Sequence, residues 1–178
     1  MSRTIRSTFA VSVARLSLTL LSLTLGSYAA DSATAPQVHL DVSKTSPRQV
    51  EELTEKGILR DYRLAWSSLA QALELNTLGP LDGPFAGEAK RTLRQSVLGQ
   101  QHSGLSTRYI GQTHQVEGVL YSPEGDVMEL HDTAQYQLQI TDGGKVIHDE
   151  RVLMHYVVLM TPAADRWVIR QLQAVPNF

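Results

Sequence analysis

The hydrophobic period of this chain changes once, near Arg108, and that change restricts the folds open to it. Upstream, Ile58, Tyr62, Ala65, Trp66, Leu69 and Leu73 recur at helical spacing and share one face. Downstream, apolar and polar residues alternate, the signature of strands with one buried face. Turn signals at Ser122–Asp126, Asp142–Lys145 and Thr161–Arg166 cut this region into predicted strands near Tyr109–Tyr121, Val127–Thr141, Val146–Thr161 and Trp167–Val175. Tight turns between consecutive strands make them antiparallel. The expected class is α+β, with N-terminal helices packed on a strongly curved antiparallel sheet.

The helical half has its own punctuation. Ser46, Pro47 and Gln49 read as a cap, a first-turn proline and a capping-box partner, so helix is predicted from Ser46, with Gly57 dividing it. Asn76–Pro84 is dense in turn formers and ends that segment. A second helix is predicted from about Phe85 to His102, with Phe85, Ala89, Leu93 and Val97 on one face and Gly104 to terminate it.

Arg3 and Arg6 precede a Leu-rich stretch whose uninterrupted part, Leu16 to Leu25, has the length of a secretory h-region and is short for a bilayer span. Ser27 and Ala29 supply the small residues that a signal peptidase reads, so residues 1–29 are expected to be removed and the remainder exported to a periplasmic or extracellular compartment. Membrane attachment would come only through an uncleaved leader. Residues 30–45 read as a polar tether, although Val38, Leu40 and Val42 alternate as a short edge strand would, and residues 46–178 read as a single domain.

Arg3, Arg6 and Arg15 all lie in the leader, so the formal charge of −2 becomes about −5 after cleavage, which excludes an electrostatic footprint for nucleic acid. With no cysteine, disulfides and thiolate chemistry are excluded. No motif calls for a cofactor.

Helices followed by a long bent antiparallel sheet, with Tyr62 and Trp66 on the preceding helix, resemble the cone-shaped nuclear transport factor 2-like superfamily, also called cystatin-like or SnoaL-like. The resemblance spans about Arg48 to Val175 and rests on element order. It implies a cup between helix and sheet, a surface through which homodimers form, and either enzymes or non-catalytic binding modules. No enzyme-family motif anchors a transfer of catalytic residues.

The double-glycine turn allows inward residues to be named. If Asp142 faces Lys145 and the alternation is unbroken, Met128 faces Leu159, Leu130 faces Val157 and Asp132 faces His155. The preceding turn sets Leu120 opposite Met128, Val116 opposite Asp132 and His114 opposite Ala134. Tyr136 and Arg151 then face one another along the same inner surface. Asp132 and His155 are therefore the candidate catalytic pair, as orienter and base, with Tyr62, Trp66, His114, Tyr136 and Arg151 as ligand-lining candidates.

Glu129 and His131 share a face from which Asp132 points away, so no metal site is expected. The opposite face is half apolar by this register and calls for a cover, either a helix or a second subunit. Two functions follow: a non-catalytic exported module that takes a small apolar ligand in its cup or a protein partner on its sheet, or an acid/base isomerase, dehydratase or hydrolase built on the Asp132–His155 pair, with Tyr62 or Tyr136 as hydrogen-bond donor.

Overall fold

The computed structural model describes residues 35–178, so the leader lies outside the described residues. Two helices and a short 3-10 turn pack on a six-stranded mixed sheet. In chain order these are β1 (Gln37–Asp41), β2 (Ser46–Pro47), α1 (Glu52–Leu75), the 3-10 turn Gly79–Leu81, α2 (Gly87–Ser103), β3 (Leu105–Tyr121), β4 (Met128–Asp142), β5 (Lys145–Ala163) and β6 (Arg166–Val175). The α+β arrangement predicted from the period change is present, and β3 to β6 form the expected antiparallel meander.

Three N-terminal expectations are corrected. Gln37–Asp41 is no tether: it adds to the sheet as β1, parallel to β3, with Val38 and Leu40 buried against the core. Ser46 and Pro47 do not start a helix, because they pair with Leu120 and Tyr121 as a two-residue strand. Helix begins only at Glu52, where Glu52 and Glu55 in the first turn suit the positive end of the helix dipole. Gly57 does not divide α1, which runs unbroken to Leu75. The absent side chain there lets Trp167 of β6 approach, its Cδ1 lying 3.7 Å from where a Cβ would stand.

The apolar stripe of α1 is buried as its spacing predicts: Ile58, Tyr62, Ala65, Trp66, Leu69 and Leu73 join Val116, Met128, Leu130, Val158 and Met160 in one core. Asp61 is buried among them and fastens α1 to β6. Its carboxylate accepts from the Arg60 guanidinium at 2.8 and 2.9 Å and from the Trp167 backbone N–H at 2.7 Å. At its far end α1 closes on Asn76 in the left-handed region, whose side-chain amide donates to the Leu105 carbonyl at 2.6 Å.

The sheet registers carry the main correction. Asp142 faces Lys145 and Thr141 faces Val146, as the turn predicts, but Ile140 then faces His148, leaving Ile147 without a β4 partner. This bulge shifts every later pair by one residue and turns those β5 side chains to the other face. Asp132 consequently faces Tyr156, while His155 faces Thr133 on the outer surface. Tyr136 faces Val152, and Arg151 faces Gln137.

On the β3 side the expected pairs Val116–Asp132 and His114–Ala134 are formed. A second bulge sets Leu120 opposite Glu129 instead of Met128.

Candidate functional site: a sealed carboxylate and imidazole under α1

β3 and β4 bring His114 and Asp132 to the inner face of the sheet, where α1 lays Tyr62 and Trp66 over them. His114 Nδ1 lies 2.7 Å from Asp132 Oδ2, and the Tyr62 hydroxyl donates to that same oxygen at 2.7 Å. A carboxylate only accepts, so this pairing puts the imidazole proton on Nδ1. Neither His114 Nε2 nor Asp132 Oδ1 has a hydrogen-bond partner among the described residues.

The aromatic packing closes over this group. The Trp66 ring lies 4.4 Å from that of His114 and 5.3 Å from that of Tyr156, and the Tyr62 ring meets His114 nearly edge-on at 6.1 Å. Exposure is 0% for His114 and Asp132 and 1% for Tyr62 and Trp66, so no reactant touches the pair while this packing holds. Burial, and then the Asp132 charge, push the Tyr62 phenol well above its ordinary range, so it stays protonated and acts as a donor.

A second aromatic group continues toward the β4–β5 turn. The Tyr136 and Tyr156 hydroxyls are 3.0 Å apart, and the Tyr109 and Tyr136 rings are 4.6 Å apart. Burial raises both Tyr109 and Tyr156 above their usual phenol range.

Of the residues singled out in the sequence, the fold brings together Tyr62, Trp66, His114 and Asp132, with Tyr136 a short way along the same face. It does not bring in His155 or Arg151. The expected Asp132–His155 pair is absent because the Ile147 bulge turns His155 outward, where its Nδ1 meets Thr133 Oγ1 at 3.1 Å and its ring meets Phe178 at 5.0 Å. Arg151 is exposed on that same outer side. His131, also outward, stacks on Phe178 at 4.4 Å, with its Nε2 3.3 Å from Glu129 Oε1.

Sequence reasoning missed Tyr156 and Tyr109 as neighbours of the site. The alternation of Tyr156, Val158 and Met160 along β5 was the available signal for the first. Among the described residues no group of three or more His, Asp or Glu side chains is placed to hold a metal ion.

No protein-family model and no curated protein sequence matches this chain. Among solved structures, the intermembrane-space region of the chloroplast protein ARC6 superposes with a TM-score of 0.53 at 13% identity, covering 72% of this chain and 98% of that one. At that identity the likeness is one of fold.

Weaker matches include a putative ketosteroid isomerase from Shewanella frigidimarina, with a TM-score of 0.40 and 15% identity over 65% of this chain and 94% of that one. Another is a cystatin-like-fold protein of unknown function from Nostoc punctiforme, with a TM-score of 0.39 and 12% identity over 74% and 98%.

Proposed function

We propose that this chain is an exported, non-catalytic binding or assembly module that works through its surface. The observation that carries this reading is the complete burial of Asp132 and His114 beneath Trp66. A general base must come within hydrogen-bond reach of the proton it takes, and here packed rings occupy that space. The export half of the reading is supported by the leader-like residues 1–29 and by a fold neighbour that lies between two membranes. No helix among the described residues is long and apolar enough to cross a membrane.

The test is exclusion. With the histidine ring and tryptophan indole resonances assigned, titration of the intact protein with benzene or indole is expected to leave His114 and Trp66 unshifted. A saturable shift at both, with the fold intact, would overturn the closed reading in favour of an acid/base enzyme. The unpartnered Nε2 of His114 and Oδ1 of Asp132 are the features that favour that second reading, since they would suit a small polar guest. For export, the intact mass of protein recovered beyond the membrane should correspond to a chain starting at Ala30. A retained Met1 would refute cleavage.

A further inference from the structure

Packing that keeps molecules away from Asp132 does not keep electrons away. A chain of aromatic side chains runs from the half-buried part of the inner sheet face to the sealed pair. The half-buried Tyr109 ring lies 4.6 Å from that of Tyr136, whose hydroxyl is 3.0 Å from that of Tyr156. Tyr156, also half-buried, has its ring 5.3 Å from Trp66, and the Trp66 ring lies 6.4 Å from Tyr62. Electron tunnelling weakens steeply with distance, and neighbouring rings divide the way to the surface into short steps.

A phenol or indole that loses an electron becomes a strong acid, so the lost electron is tolerated best where a base already holds the proton. The Trp66 N–H has no hydrogen-bond partner among the described residues. The hydroxyls of Tyr136 and Tyr156 meet one another, and a phenol is a poor proton acceptor. Tyr62 is the ring in this chain whose donor meets a carboxylate, at 2.7 Å from Asp132 Oδ2.

We propose that Tyr62 is a redox-active tyrosine: an outer-sphere one-electron oxidant at the surface draws an electron from it through the aromatic chain, and its phenolic proton passes to Asp132. The O–H bond of Tyr62 breaks, an O–H bond forms on Asp132 Oδ2, and the electron reduces the oxidant. The products are a neutral phenoxyl radical and a neutral carboxylic acid. Return of an electron sends the proton back across the same hydrogen bond.

Burial favours this direction. With the imidazole of His114 holding its proton on Nδ1, the cluster carries the charge of the Asp132 carboxylate before oxidation and no charge afterwards. A buried carboxylate is costly, and Oδ1 of this one has no hydrogen-bond partner among the described residues, so discharging it offsets part of the cost of oxidising the phenol. His114 holds Oδ2 in place through the transfer and so keeps the acceptor on the Tyr62 hydroxyl. The chain has no cysteine to be oxidised first.

This goes beyond the surface role proposed above and rests on the same closed interior. Photogenerated ruthenium(III) tris(bipyridine) is the probe oxidant, and the phenoxyl radical is read by its optical band and by electron paramagnetic resonance. In the folded chain the radical should outlive that of the urea-unfolded chain by about tenfold, because packing keeps a second radical from meeting it. Tyr62→Phe keeps the ring and should remove the long-lived signal. Asp132→Asn keeps the shape but cannot take the proton, and should remove it too. Far-UV dichroism confirms that each variant is folded.

The wild type gives a further reading that needs no substitution. Because the proton stays within the cluster, the potential at which the radical forms should not change across the neutral pH range, whereas that of a phenol open to water falls as pH rises. Lack of a long-lived radical in the wild type, its survival in folded Tyr62→Phe, its undiminished yield in folded Asp132→Asn, or a potential that falls with rising pH would each overturn the assignment. Probe exclusion at Trp66 reads the closure and radical formation reads the chemistry, so the two readings fail separately.

Discussion

The carboxylate of Asp132 and the imidazole of His114 meet at 2.7 Å with neither side chain exposed. Tyr62 shares the same carboxylate oxygen, so one acceptor serves two buried donors. Removing it by Asp132→Ala strands both donors and is expected to lower unfolding free energy by about 3–5 kcal/mol. Asp132→Asn keeps the shape but gives up the charge-assisted bonds, for a loss of about 1–3 kcal/mol. Urea unfolding followed by far-UV dichroism measures both, and an unmoved midpoint for the alanine variant would mean that the cluster is not closed in solution.

The tyrosines set an alkaline limit. Burial raises the phenols of Tyr62, Tyr109, Tyr136 and Tyr156 above their ordinary value of 10.0. A raised folded value means that the native state keeps its proton while the unfolded chain releases it. Stability from these groups is therefore full below about pH 10 and falls as pH climbs toward the raised folded values. Absorbance at the phenolate band should show these four ionising together with loss of dichroism. Reversible ionisation of all four near their ordinary value, with the fold retained, would contradict their burial.

Trp66 is the largest side chain over the acid–imidazole pair. Trp66→Ala should cost about 3–5 kcal/mol, and the surviving folded fraction should take up benzene or indole that the parent excludes. Heteronuclear shifts at His114 on adding the probe supply the readout. A variant that remains folded and still excludes both probes would show that neighbouring side chains collapse into the space.

Two glycines should respond in opposite directions. Gly57 lies inside α1, and a Cβ there meets Trp167 at ordinary contact distance, so Gly57→Ala should raise stability by about 0.5–1 kcal/mol. At Gly118 an added Cβ would stand 2.5 Å from Thr45 Oγ1 and 3.3 Å from Val42 Cγ1. Thr45 is buried there and donates to the Gly118 carbonyl at 3.2 Å, so it has little room to yield. Gly118→Ala should cost about 1–3 kcal/mol, and thermal melts of the pair give the comparison.

The element order was legible in the sequence because period and turn chemistry are local signals. The strand boundaries around Asp142–Lys145 and Thr161–Arg166 follow directly from them. Face assignment was not equally legible, because it accumulates along a strand. The register from the double-glycine turn holds for Lys145 and Val146 and fails at Ile147, since nothing in its immediate neighbours marks a bulge.

Unbroken alternation makes Asp132 and His114 both inward but pairs Asp132 with His155, whereas the imidazole that meets it is that of His114. The β3–β4 register, correct at His114 and Val116, already placed the right one a single rung away. Ser46–Pro47 misled for a related reason: its cap-like pattern is local, whereas the pairing that makes it a strand comes from Leu120 and Tyr121, far along the chain.

Asp61 is tied to the Trp167 amide, a contact that spans 106 positions. Until the last strand is delivered, the first helix has a carboxylate on its packing face that only Arg60 can satisfy. Long-range closures of this kind come late and slow folding. A chain threaded across a membrane from its N-terminus would thus stay pliable through most of its passage and lock only when nearly all of it has emerged.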